Sequence, residues 1–121
     1  MKRLLLALLL ISPASFADWG DVYYCQMTNL DRITLEGEQE SYKVQKFQFK
    51  LDKTKNAMVF GSSGYLGDFE MELRKGANWP SIESWYADSR YASTYFDNGK
   101  FLLSRTGSGQ ILSISADCDK F

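Results

Sequence analysis

Phe69, Met71 and Leu73 alternate with Glu70, Glu72 and Arg74, and this period of two recurs along the chain after residue 17. A strand sends successive side chains to opposite faces, so the alternation specifies a half-buried β-strand and opposes an amphipathic helix. Val22, Tyr23 and Tyr24 open a β-forming run that stops at Asn29, and Ile33 and Leu35 alternate with polar neighbours up to Gly37. In residues 41–51 the apolar parity changes. Tyr42 and Val44 hold one phase, and Phe47, Phe49 and Leu51 hold the other. One extra residue would return both groups to one face, so a β-bulge or sharp bend is expected at Gln45 and Lys46. Further strands are expected over residues 57–60, 81–87, 91–96, 100–105 and 110–118. Asp97-Asn98-Gly99 is a hairpin signal because Asn and Gly tolerate positive φ. In the last strand Leu112, Ile114, Ala116 and Cys118 share one face. About eight short strands joined by tight turns predict an all-β fold, a small antiparallel meander closed as a barrel or folded as a sandwich.

The first seventeen residues follow another rule. Lys2 and Arg3 precede an apolar run over residues 4–11, and Ser15-Phe16-Ala17 places small residues where a signal peptidase cuts. The run falls short of the roughly 20 residues that a bilayer demands of a helix. Residues 1–17 are therefore expected to be a signal peptide and residues 18–121 a single domain, periplasmic or secreted. Loss of Lys2 and Arg3 makes the remainder more acidic than the whole chain, whose formal charge is −1. Such a domain has no general attraction to nucleic acid. No later segment is apolar enough to span a membrane as a helix. Asp117 and Asp119 sit at alternate positions that a membrane barrel would turn toward lipid, so a barrel spanning the membrane is not expected.

The chain has two cysteines, Cys25 and Cys118, near the two ends of the expected domain. In an oxidising compartment they are expected to pair. Such a bridge would bring the first and last strands together, as closure of a barrel does.

Several kinds of chemistry are excluded by composition. There is no histidine, which removes Ser-His-Asp and Cys-His arrangements and nearly all catalytic zinc sites. With both cysteines bridged no thiol nucleophile is left. Glu70 and Glu72 share a strand face about 7 Å apart, near what a paired-carboxylate mechanism uses, but they fit a solvated outer face better because Met71 and Leu73 must point inward. Glu36, Glu38 and Glu40 lack the surrounding loop of a calcium site. The glycine-rich residues 61–67 lack the Lys-Ser/Thr and helix of a phosphate loop. No catalytic residue, metal ligand or cofactor is expected.

Binding features are easier to find. Ser62, Ser63 and Tyr65 lie in the glycine-rich loop, and loops on a rigid β scaffold often carry recognition. Trp79, Trp85 and Tyr86 crowd one stretch and could stack on a sugar or a protein. Lys43, Lys46, Lys50, Lys53 and Lys55 form a basic run whose plainest role is to guard sheet edges. The expected function is a protein- or glycan-binding module of the cell envelope.

Tyr24-Cys25 near the start, Ser62-Ser63-Gly64-Tyr65 in the loop and Cys118 near the end are similar to the lysozyme-inhibitor families of the Gram-negative envelope. In those families a serine-glycine loop and a nearby basic residue enter the lysozyme cleft. The resemblance implies an alternative function, a periplasmic lysozyme inhibitor acting through residues 61–67.

Overall fold

A computed structural model describes residues 17–74 and 84–121. Nine strands follow one another in these residues: β1 (Val22–Thr34), β2 (Gln39–Ser41), β3 (Lys46–Asp52), β4 (Ala57–Phe60), β5 (Glu70–Leu73), β6 (Trp85–Asp88), β7 (Ala92–Asp97), β8 (Lys100–Gly107) and β9 (Gln110–Lys120). Every pairing is antiparallel. The order is β2-β1-β3-β4-β5-β6-β7-β8-β9, and β9 returns to pair with β1. Eight strands thus close a barrel, with β2 added beside the far half of β1. Of the two architectures open to the sequence, the barrel is the one formed. Closure removes the free edges that a sandwich would keep.

The seam between β1 and β9 carries the covalent bond. Cys25 and Cys118 are register partners with their Cα atoms 4.0 Å apart, and their sulfurs are bonded at 2.05 Å.

Period two decides what fills the interior. Phe47, Phe49 and Leu51 point inward from β3, Met71 and Leu73 from β5, Phe96 from β7, Phe101 and Leu103 from β8, and Ile114, Ala116 and Cys118 from β9. The aromatic rings meet at the centre. Phe49 lies 5.1 Å from Phe96 and 5.5 Å from Tyr23, and Phe47 lies 4.8 Å from Phe101, centroid to centroid. Each fully buried ring contributes about 1.5–3 kcal/mol relative to exposure. The rings pack against one another where a ligand-carrying barrel would keep a cavity.

Two-residue turns set the register of the last three strands. Asn98 and Gly99, at φ 49° and 76°, link the partners Asp97 and Lys100, and Ser108 and Gly109, at φ 53° and 76°, link Gly107 and Gln110. Both follow the twist of the strands they join.

Three local expectations are corrected. The segments ending at Asn29 and beginning at Ile33 are one continuous strand, β1, because pairing with β9 runs through them. Its inward parity changes from Tyr23, Cys25 and Met27 to Leu30 through a register shift between Met27 and Asn29. The parity change in residues 41–51 is not a bulge within one strand. Strand β2 stops at Ser41 and β3 begins at Lys46, while Tyr42 donates its amide to Leu30 and Gln45 accepts from Met27. Tyr42 and Val44 therefore stay exposed and do not rejoin the core side. Of the strand expected over residues 81–87, the described part begins beyond residues 75–83, and β6 extends it to Asp88.

Trp19 closes one end of the barrel. It packs edge-on against the buried Trp85 at 5.0 Å, and Gly20 and Asp21 are tied to Leu51 by backbone hydrogen bonds. Strand β1 runs from this end to the opposite, open one.

Candidate functional site

Leu30, Ile114 and Leu103 form one inward row across β1, β9 and β8. Two residues along each strand, toward the open end, the next inward row reads Arg32, Leu112 and Arg105, with Glu40 of β2 paired to Arg32. The strands thus carry apolar side chains through the core and then place two arginines at the rim. A concavity of about 370 Å³ opens there, lined by Arg32, Tyr42, Tyr65, Arg105, Gln110 and Leu112 among others.

Arg32 is held from several sides. Its Nη2 donates to Glu40 Oε1 at 2.7 Å and its Nη1 to Gln110 Oε1 at 3.1 Å. The guanidinium lies 5.4 Å from the Tyr42 ring centroid, and the Tyr42 hydroxyl donates to Glu40 Oε2 at 3.0 Å. Its Nε is buried and has no hydrogen-bond partner among the described residues. The hydrogen bond from Arg32, reinforced by that from Tyr42, holds the Glu40 carboxyl below its ordinary range. Partial desolvation and the nearby Glu40 push the Tyr42 hydroxyl up. The result is a fixed Arg32–Glu40–Tyr42 cluster in which one carboxylate offsets one guanidinium.

Arg105 differs. Among the described residues it makes no salt bridge, and its guanidinium sits 6.0 Å over the Phe69 ring. Arg105 is thus a guanidinium in the lining of the concavity that no carboxylate among the described residues pairs.

Tyr65 reaches the mouth through the folding of residues 61–67. Its amide donates to the Lys46 carbonyl at 3.2 Å, and the next residue, Leu66, is buried. Gly64, at φ 103°, lies so close to β3 that a Cβ would stand 3.0 Å from Lys46 O and from Phe47 Cα. This loop is laid down on β3, with Ser62, Ser63 and Tyr65 left exposed.

The other sequence candidates do not join this site. Trp85 points into the core at 1 % exposure, so its ring is not available for stacking at the surface; the even parity of β6 gives that position to Tyr86. Tyr86 lines a different groove on the barrel wall, with Tyr95 and Leu102. Trp79 lies outside the described residues. Glu70 and Glu72 lie on the outer face, where Glu70 is paired with Lys55 at 3.0 Å. Lys43, Lys46, Lys50 and Lys53 are exposed around β3.

Arg32, Tyr42, Arg105 and Gln110 were not singled out by the sequence reading. A signal for two of them was present. Each arginine continues the inward parity of a strand whose preceding inward residue is apolar, and a charge in that phase marks the end of a core.

The chain matches no protein-family model, no curated protein and no solved structure. What the fold and the site define is a small disulfide-closed β-barrel, consistent with a small binding-type domain. Among the described residues there is no helix long and apolar enough to cross a membrane.

Proposed function

We propose that this chain is an exported binding domain of the cell envelope and that the barrel mouth is its recognition surface. The observation that carries this reading is the convergence of Tyr65, Tyr42, Arg32 and Arg105, from separate segments of the chain, on one concavity. Aromatic and arginine side chains in a concave, partly desolvated setting are the usual anchors of recognition. The aromatic packing of the interior favours binding at the rim over storage of a ligand inside. Export is supported by the N-terminal pattern and by the disulfide. A barrel in water is supported by its polarity, with apolar residues inside and Lys50, Glu70, Glu72, Lys100 and Asp117 outside.

The test is retention of envelope proteins and glycans on the immobilised oxidised protein. Wild type should retain a partner that the Tyr42→Ala, Tyr65→Ala double variant loses and that Tyr86→Ala keeps. Equal retention by all three would remove the mouth from consideration.

One observation favours the finer reading of a lysozyme inhibitor: Ser62, Ser63 and Tyr65 stand exposed on a loop whose base is anchored by Gly64 and Leu66. Wild type should then slow the clearing of labelled cell walls, and Ser63→Ala with Tyr65→Ala should not. Absence of inhibition of several lysozymes at micromolar concentration would discard it.

A further inference from the structure

We infer that the mouth is an oxyanion site that takes the carboxylate of an acidic sugar, with Arg105 as the charge that meets it. The inference rests on the mouth being the binding surface and names what it binds.

Glu40 already neutralises Arg32, and the bonds to Glu40 and Gln110 fix the plane of that guanidinium. Arg105 has no such partner among the described residues. Arg105 is exposed, with its guanidinium 6.0 Å from the Phe69 ring centroid, so its planar fork is open to an incoming oxyanion. The unpaired guanidinium is a local feature, because Glu40 and Glu38 act on Arg32 and the whole chain is formally −1.

Geometry selects one ligand-sized group. Arg32 and Arg105 flank Leu112 on neighbouring strands, so their Cα atoms are separated by two strand spacings, about 10 Å. A carboxylate held by the Arg105 fork would lie over Leu112, on the side toward Arg32.

The aromatic walls select a sugar over a bare anion. Tyr42 and Tyr65 are 40 % and 39 % exposed, and the Tyr65 hydroxyl makes no hydrogen bond among the described residues. A free phosphate would satisfy Arg105 and leave both rings uncovered. A pyranose with a carboxylate covers a ring face and offers hydroxyls to Tyr65. The concavity of about 370 Å³ lies within the range of small-ligand sites.

The inference is tested by following backbone amide resonances of the purified, disulfide-bonded protein during titration. The probes are glucuronate, N-acetylmuramate, neutral glucose, neutral N-acetylglucosamine and inorganic phosphate. The acidic sugars should shift the amides of Arg105, Tyr65 and Gln110 and saturate, more tightly at low salt, and the neutral sugars should not. Phosphate should compete at least about tenfold more weakly. Arg105→Gln should weaken acidic-sugar binding by about tenfold or more. Gln110→Glu supplies a second carboxylate to Arg32 at the 3.1 Å contact and should block the site with the fold retained. Phosphate binding as tightly as the acidic sugars, or acidic-sugar affinity unchanged in Arg105→Gln, would overturn the inference. So would the absence of any shift at the mouth with every probe. The mouth reading fails separately. A captured partner that is lost with Tyr42→Ala, Tyr65→Ala but kept by Arg105→Gln and Gln110→Glu leaves the mouth in place and removes the acidic sugar.

Discussion

Cys25 and Cys118 face each other across the seam where the last strand of the barrel meets the first, at a sequence separation of 93. The bond therefore joins positions that the β1–β9 ladder already aligns, and it acts mainly by restricting the unfolded chain. A loop of this length gives roughly 4 to 5 kcal/mol in the chain-entropy model. The Cys25→Ser, Cys118→Ser double variant is expected to keep the barrel topology and to lose stability of that order in denaturant titration, with the midpoint falling and the slope rising as the unfolded chain loses its cross-link. Two thiols reacting in the denatured but unreduced wild type would contradict the bridge.

Gly64 is expected to be irreplaceable in a way that Gly107 is not. Alanine at 64 must adopt φ 103° and place its Cβ against the backbone of Lys46 and Phe47. A cost of about 1–3 kcal/mol follows, a drop of roughly 4–8 °C in melting temperature for each kcal/mol in a domain of this size. Alanine at Gly107 meets nothing within 4 Å and should change stability by less than about 0.5 kcal/mol. Thermal melts of the two variants side by side decide the point. A Gly64→Ala protein as stable as wild type would show that the loop does not need its seat on β3.

Tyr23 makes the alkaline limb of stability predictable. Burial first, and the nearby Asp21 second, raise its hydroxyl pKa from 10.0 to about 12. The folded state then holds a proton that the unfolded state has released. Stability is fully present below pH 10.0 and falls as the pH rises from there toward about 12. Tyr23→Phe should flatten that fall, and in wild type one tyrosine should ionise near the end of the tyrosinate absorbance titration. A wild-type titration complete near pH 10 in the folded protein would contradict the burial of this hydroxyl.

Glu40 governs the acid side of the mouth. Because Arg32 and then Tyr42 hold its carboxyl below the ordinary range, its contribution is present above the unfolded-state value and is lost as the pH falls through the lowered folded value. The pair is exposed, so the effect at neutral pH is small. Glu40→Gln should melt slightly below wild type at neutral pH and coincide with it in acid. A difference that persists undiminished in acid would assign the stabilisation to packing.

How much was legible in advance can be read from particular residues. The alternation of Phe69, Met71 and Leu73 with charged neighbours dictated an inward and an outward face, and Asn98-Gly99 dictated a two-residue hairpin, because both are local consequences of backbone geometry. A barrel or a sandwich with one disulfide followed from many such strands and from cysteines near both ends, and the β1–β9 pairing made it a barrel. The inward turn of Trp85 and the outward turn of Tyr86 were not separable in sequence, since two adjacent residues always point opposite ways and only the position of the core says which is which. The change of parity at Gln45 and Lys46 was compatible with a bulge or a sharp bend, and it falls at the break between β2 and β3, where Tyr42 and Gln45 still bond to β1. The mouth itself is non-local. Arg32, Tyr42, Tyr65 and Arg105 are brought together by the β1–β9–β8 register and by a loop that folds back on β3. Sequence alone determined the β character, the two-residue turns and the covalent closure, because each depends on residues close in the chain or on a single bond. Tertiary structure alone decided which side chains share the rim, because that depends on the register of strands that meet only when the barrel closes.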